Sequence, residues 1–230
     1  MAAETVVIFG AFGSLGSELA DYARSQGHRL ILFDKDPPPA SDVLDCDLAD
    51  EASTVEALRN IPINADCRYR ILFTAATYNG SGDSETAPWE QVAKSLQINL
   101  LSQCHIALAM AQAMVGRGIC GRIVLTSSAA ARVGSCDIGY GVAKAGLEGL
   151  VRSLSKAFAR YGITTIGVSP GVFPSAMSEA QSPERRAAAV ESTHIKRHME
   201  LAEVADTVRF ALFAAPDAMT GSILPVSGGQ

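Results

Sequence analysis

Tyr140 and Lys144 stand four residues apart, and Ser128 stands twelve residues before Tyr140. Residues at i and i+4 of a helix share one face, so this spacing puts a phenol and an ammonium side by side. A phenol with a pKa of about 10 is a poor base at neutral pH. A neighbouring ammonium favours the phenolate and is expected to lower that value. A phenol tuned in this way takes a proton from an alcohol as hydride leaves, or returns it to a carbonyl oxygen. Ser128 is the hydroxyl expected to hold that oxygen, with the adjacent Ser127 as its rival for the task.

A second cluster of chemistry sits near the start of the chain. Gly10, Gly13 and Gly16 punctuate the stretch Phe9-Gly10-Ala11-Phe12-Gly13-Ser14-Leu15-Gly16, directly after the apolar run Thr5–Phe9. Glycines at a strand-to-helix turn permit a tight bend and close approach of the backbone to a pyrophosphate. The N-terminus of the following helix then offers free N–H groups and the positive end of its dipole to the phosphates. Phe12, Ser14 and Leu15 belong to the same candidate phosphate-binding turn. Asp34 closes the next apolar run, 18 residues after Gly16. A carboxylate at that place accepts hydrogen bonds from a ribose 2′-hydroxyl and repels a 2′-phosphate. NAD is therefore expected over NADP, although Lys35 next door is a cation able to hold a phosphate.

Positioning these groups requires strands alternating with helices. Apolar runs of strand length occur at Thr5–Phe9, Arg29–Phe33, Arg70–Thr74, Arg122–Thr126, Thr164–Val168 and Ser222–Val226, with a weaker one at Asp42–Leu44. Runs apolar on both faces suit strands covered on both sides by helices. Helical patterns are expected at Ser17–Gln26, Glu90–Val115, Gly139–Tyr161 and Leu201–Ala214. The alternation implies an α/β fold with a doubly wound parallel sheet of about seven strands. Pro37-Pro38-Pro39 reads as a loop, so residues 1–230 are expected to form one domain.

Composition narrows the function. The chain has 230 residues, with 19 Lys plus Arg against 24 Asp plus Glu, a formal charge of −5. A nucleic-acid binder relying on phosphate neutralisation would carry a basic face. Hydrophobic residues make up 48%, ample for a core and unlike a disordered chain. No uninterrupted apolar run approaches the roughly 18–20 residues that span a bilayer. The start, Met1-Ala2-Ala3-Glu4, has no basic leader, so a cytoplasmic location is expected. Five scattered cysteines without a C-x-x-C pair read as small buried thiols in a reducing compartment. His194 and His198, four apart, read as a solvated helix face rather than a metal site.

Taken together these motifs resemble the short-chain dehydrogenase/reductase family, in its ordinary single-domain branch. The stretches that carry the resemblance are Gly121–Ser128, Tyr140-Gly141-Val142-Ala143-Lys144-Ala145-Gly146, Ser169-Pro170-Gly171 and Leu201–Asp206. The resemblance implies a Rossmann-like sheet, and Ser128, Tyr140 and Lys144 as the catalytic triad. It implies that Lys144 also bonds the nicotinamide ribose. It matches Asn99 to the asparagine that kinks the long helix and holds a water in a proton relay. It matches Asp47 to an acid near the adenine, with Leu48 beside it. Ala75 and Ala76 fall where the backbone approaches the ribose. Pro170 and Gly171 begin the loop beside the nicotinamide, and Ser175 replaces a threonine that contacts the carboxamide. Two stretches depart from the family pattern: Gly13 falls one residue early, and Thr74-Ala75-Ala76-Thr77 replaces an asparagine-rich motif.

The expected function is an oxidoreductase interconverting a secondary alcohol and a ketone, with a small molecule as substrate. The alternatives are an NADPH-dependent 3-oxoacyl-type ketoreductase, which Asp34 opposes, and a regulator that senses NAD(H) without turnover, which has no need of the tuned phenol. Met177 to Met199 forms a modest substrate lid in this reading. Tyr78, Trp89 and Phe173 are aromatics near the expected pocket, where packing is the commoner role. Small residues on the two long helices, including Ala107, Ala111, Ala143 and Gly149, permit close helix contact, and the resemblance implies a homodimer or homotetramer.

Overall fold

The computed structural model describes residues 3–64, 67–78 and 86–230; Met1 and Ala2 of the leader reading lie outside them, whereas every candidate site residue lies inside. Its elements run β1 (Thr5–Phe9), α1 (Ser14–Ser25), β2 (Arg29–Asp34), β3 (Val43–Asp45), α2 (Glu51–Arg59), β4 (Tyr69–Phe73), α3 (Trp89–Leu96), α4 (Ser102–Gly116), β5 (Gly121–Thr126), α5 (Ala130–Val133), α6 (Ile138–Phe158), β6 (Ile163–Pro170), α7 (Ala176–Glu179), α8 (Pro183–Ser192), α9 (Leu201–Arg209) and β7 (Ile223–Val226). The seven strands are all parallel, in the order β3-β2-β1-β4-β5-β6-β7. Strand order reverses between β1 and β4, and a crevice outside the strand C-terminal ends at such a switch point is where ligands bind.

Alternate residues of each strand enter opposite layers of core. Val7, Phe9, Phe33, Ile71, Phe73, Ile123 and Leu125 pack with α4 and α6 through Ile106, Met110, Met114, Leu147 and Val151. Val6, Ile8, Leu32, Leu72, Val124 and Ile166 pack with α1 and α9 through Leu15, Leu19, Val204 and Val208. Both faces are thus buried, which is why the strands read as continuous apolar runs. Phe33, Phe9 and Phe73, paired in register, stack with ring centroids 4.8 and 5.1 Å apart. This ladder forms the floor directly beneath the glycine turn.

The structure redraws several expected elements. The helix expected at Glu90–Val115 is two α-helices joined by a π-helical segment, Gln97–Leu101. A second π segment, Phe210–Ala214, ends α9. Helix α1 starts at Ser14 rather than Ser17, inside the glycine turn. The stretch Trp89–Gly116 is long and apolar enough to cross a membrane by length and composition, but here it packs against α2 and α6, with Asn99 and Gln103 buried in it. His194 and His198 lie in a turn after α8, not on a helix. All five cysteines are free, yet only Cys46 is buried, and Cys120 and Cys136 are exposed. The expectation of buried thiols fails for these two because both sit in loops at strand and helix ends, outside the packed layers.

Candidate active site

A continuous cavity of about 870 Å³ opens along the C-terminal edge of the sheet, from the β1–α1 turn to the lid helices α7 and α8. It suits an extended ligand, since sites for drug-sized molecules run about 300–1,000 Å³. Every candidate site residue except Asn99 lines it.

The turn is built by what a side chain would hit. Gly10 has φ +93°, and a Cβ there would stand 2.4 Å from the Ala75 backbone nitrogen. A Cβ on Gly16 would stand 1.9 Å from the Gly10 carbonyl oxygen. The Thr74 hydroxyl braces the same turn by donating to the Phe9 and Gly10 carbonyls, at 3.1 and 3.0 Å. Gly13 differs: its nearest neighbour to a Cβ is 3.4 Å away. It is the N-cap of α1, no side chain caps that helix, and no acid occupies its first turn. The first-turn N–H groups therefore open into the cavity, an arrangement that fits a phosphate. Asp34 fits the adjoining ribose. Its carboxylate accepts from the Phe12 and Lys35 N–H groups, each at 2.7 Å, and each oxygen retains capacity for a second bond. The residues present thus fit a dinucleotide.

Asp47 lines the cavity beside Cys46 and Leu48, at the end beyond Asp34. Its carboxylate pairs with Lys35 at 2.9 Å and accepts from the Ala49 N–H at 2.8 Å. Burial pushes this carboxyl up, but the Ala49 N–H and Lys35 outweigh burial and hold it below its ordinary value. Leu48 lines the same end, its carbonyl accepting from Ser102 at 2.7 Å. Lys94 joins that wall; nothing in its sequence neighbourhood marks it, because α3 brings it there from 47 residues beyond Asp47.

At the other end, α6 starts where the Asp137 carboxylate accepts from the Tyr140 N–H at 2.9 Å, a side-chain cap. This fixes the first turn of α6 and with it the Tyr140 side chain. Ser128 follows β5, and its hydroxyl accepts from the Ala130 N–H at 3.2 Å. Burial pushes the Tyr140 phenol up from its ordinary value; Ser128, close enough to hydrogen-bond it, pulls it back, and Tyr78 and Asp137 push it up further. Lys144 is fully buried, its ammonium donating to the Thr126 carbonyl at 2.7 Å and lying 5.4 Å from the Tyr140 ring centre. Burial lowers the Lys144 pKa to about 7. The expected lowering of the phenol by Lys144 is therefore not found: desolvation governs both groups, and it weakens the ammonium that was to stabilise the phenolate.

The Ser127 hydroxyl turns away and donates to the Lys144 carbonyl at 3.0 Å, so Ser128 alone of the pair faces the phenol. Asn99 is completely buried in the π segment. Its amide oxygen accepts from the Thr77 N–H at 2.8 Å, and its amide nitrogen donates to the Thr77 carbonyl at 2.8 Å and to Ser95 at 3.0 Å. Both amide hydrogens are spent, so this side chain shapes the Thr74–Thr77 wall instead of reaching into the cavity. Pro170 and Gly171 line the middle, and the Ser175 hydroxyl caps α7 by accepting from the Ser178 N–H at 3.2 Å.

Tyr78 packs edge-on against Tyr140 with ring centroids 5.4 Å apart, and Phe173 lines the cavity, whereas Trp89 is exposed. The lid contributes Met177, Gln181, Arg185, Ala189 and Ser192. Arg185 and the chain-terminal Gln230, also a lining residue, carry no motif and escape a reading by spacing.

Comparison with known proteins agrees with this geometry. A family model described as enoyl-(acyl carrier protein) reductase matches residues 10–230. The 3-oxoacyl-[acyl-carrier-protein] reductase of Salmonella typhimurium is 30% identical, over 99% of this chain and 90% of its own length. Carbonyl reductase family member 4 of Danio rerio is 30% identical, over 97% of this chain and 96% of its own. A solved short chain dehydrogenase/reductase family protein shares the fold with a TM-score of 0.84 at 23% identity, covering 100% of this chain and 98% of that one. With its parallel sheet, its glycine turn and matches over nearly its whole length, the chain belongs to the short-chain dehydrogenase/reductase family of oxidoreductases.

Proposed function

We propose that the chain is a cytoplasmic, NAD(H)-dependent oxidoreductase that interconverts a secondary alcohol and a ketone of small or medium size. The observation that carries this reading is the meeting of Ser128, Tyr140 and Lys144 in the cavity that also holds the uncapped glycine turn. A bound nicotinamide would supply or accept the hydride. The chain's own residues do the rest. The Ser128 hydroxyl holds the substrate oxygen, and the Tyr140 phenol passes a proton to it. A phenol is protonated at neutral pH and burial raises this one further, so at rest Tyr140 is the acid that gives its proton to a carbonyl oxygen held by Ser128. Lys144 lies one turn along α6, with its ammonium held by Thr126, and would orient the ribose of a bound dinucleotide. Asn99 shapes the wall behind the reacting groups through its bonds to Thr77 and Ser95.

Charge at the adenosine end supports NAD over NADP. Asp36 and Asp45 join Asp34 and Asp47 around Lys35, and Asp47 leads the groups that raise the Lys35 pKa. Four carboxylates against Lys35 and Lys94 disfavour a 2′-phosphate.

A second reading has one observation in its favour: the relatives include a 3-oxoacyl-[acyl-carrier-protein] reductase. The apolar wall of Val133, Val172, Phe173 and Met177 would accept an acyl chain. One experiment tests both. Absorbance at 340 nm is followed with NADH or NADPH and a panel of ketones that includes acetoacetyl-CoA. We expect turnover with NADH, and a fall of at least about a thousandfold in Tyr140→Phe with NADH binding retained, within the range that positioned proton transfer contributes. An unchanged rate in Tyr140→Phe would remove the phenol from the reaction. NADH binding without turnover of any ketone would favour a sensor.

A further inference from the structure

Lys35 and Asp47 come from different strand ends, β2 and the residues after β3, and meet at 2.9 Å on the rim of the adenosine end. Asp47 is not a loose surface acid. Its second oxygen accepts from the Ala49 N–H at 2.8 Å, its own N–H donates to Ser53 at 2.9 Å, and its side chain is less exposed than that of Lys35. Lys35 immediately follows Asp34, the residue that faces the ribose. It is therefore the cation best placed to meet a 2′-phosphate, and it is the one that Asp47 draws aside.

We infer that Asp47 is a specificity-determining residue acting through Lys35: by holding the ammonium, it withholds from a 2′-phosphate the positive charge that Asp34 alone would not remove. This rests on the reading that the cavity binds a nicotinamide dinucleotide. The charged groups facing the pair are Asp36, Asp45 and Lys94, whereas Asp34 turns its carboxylate to the Phe12 and Lys35 N–H groups. Asp36 and Asp45 are coupled by the bond from the Asp36 N–H to the Asp45 carboxylate, at 3.0 Å, which keeps Asp45 on the β3 side. An exposed pair is weak in isolation. Here it competes with a phosphate of charge near −2, so freeing the ammonium gives that phosphate a cation to bond.

The test is a fluorescence titration of the full chain with NADH and NADPH, for wild type, Asp47→Asn, Lys35→Gln and the double variant. Asp47→Asn keeps the shape and an acceptor for the Ala49 N–H; Asp47→Ser is the second variant should the first fail to fold. We expect either substitution to tighten NADPH about tenfold while NADH changes less than about threefold, with the gain shrinking at high salt as screening requires. In the Lys35→Gln background the same change is expected to shift the preference less than about threefold, since a coupled pair is non-additive. A preference unmoved by Asp47→Asn, or moved equally with and without Lys35, overturns the inference. If wild type binds neither nucleotide, the dinucleotide reading itself falls. Binding of NADH with an unmoved preference removes only the role of Asp47.

Discussion

Lys144 is the residue whose chemistry is set most strongly by its surroundings. Its pKa, about 7 in the folded chain, lies below the ordinary 10.5 because burial penalises the charged form. Between those values the unfolded chain holds one proton more than the folded one, so stability rises with pH. The ceiling is about 1.4 kcal/mol per pH unit for one group. Cys46 acts in the opposite sense at higher pH: burial pushes its thiol to about 12, so an unfolded chain loses that proton first and is favoured. The clean window is therefore pH 7 to about 8.5. Urea melts of the ligand-free chain should show stability climbing across it, and Lys144→Met should flatten the slope. A slope unchanged by that substitution would assign the proton to another group. The spacing of Tyr140 and Lys144 was legible in the sequence; the direction of their shifts was not. Proximity argues for a lowered phenol, whereas desolvation depends on how α6 packs on β6 and on the Thr126 end of β5, which no local pattern encodes.

At the scale of elements, legibility follows how each segment is buried. Strands covered on both faces announce themselves as apolar runs, and their ends emerged within a few residues. The glycine turn is local, so its job is readable from spacing. Helix α8 has no fully buried residue, hence no apolar stripe, and only its place as part of a lid was foreseen. The π segment around Asn99 is a change of hydrogen-bond register, which residue types do not spell out. The turn also gives a paired prediction. Gly16→Ala would set a Cβ 1.9 Å from a carbonyl oxygen, so backbone must shift, at a cost of about 1–3 kcal/mol, and NADH binding should be lost with it. Gly13→Ala meets nothing closer than 3.4 Å and should cost no more than about 1 kcal/mol, the scale of an N-cap change. Its methyl nonetheless stands where phosphates must approach, so NADH binding should weaken about tenfold or more with the fold intact. Thermal melts and fluorescence titrations of the two variants separate these effects; equal destabilisation by both would contradict the account of the turn.

For the whole molecule, the outer face of the two long helices is where association with a second copy is expected. Part of the small-residue pattern is consumed inside the fold: Ala107, Ala111 and Ala143 are fully buried, and a Cβ on Gly146 would strike Leu100 at 2.7 Å. Gly149 has nothing within 4 Å of its would-be Cβ, so it faces outward. Around it the same two helices expose Leu108 and Val142, and the π segment between α3 and α4 exposes Leu101. Single exposed apolar residues are ordinary, but several on helices that pack together offer apolar surface to a second copy, and closed symmetric assemblies are the common outcome. A homodimer or homotetramer through this face is the expected state. Light scattering should return a mass two or four times that of one chain, and Leu108→Asp combined with Val142→Asp should return the mass of one, because a two-fold interface meets each substitution twice. The cavity opens at the strand ends rather than through these helices, so NADH binding should survive in the monomeric variant. A wild-type chain that stays monomeric at about 100 μM, or a doubly substituted one that still associates, would place the patch outside any interface.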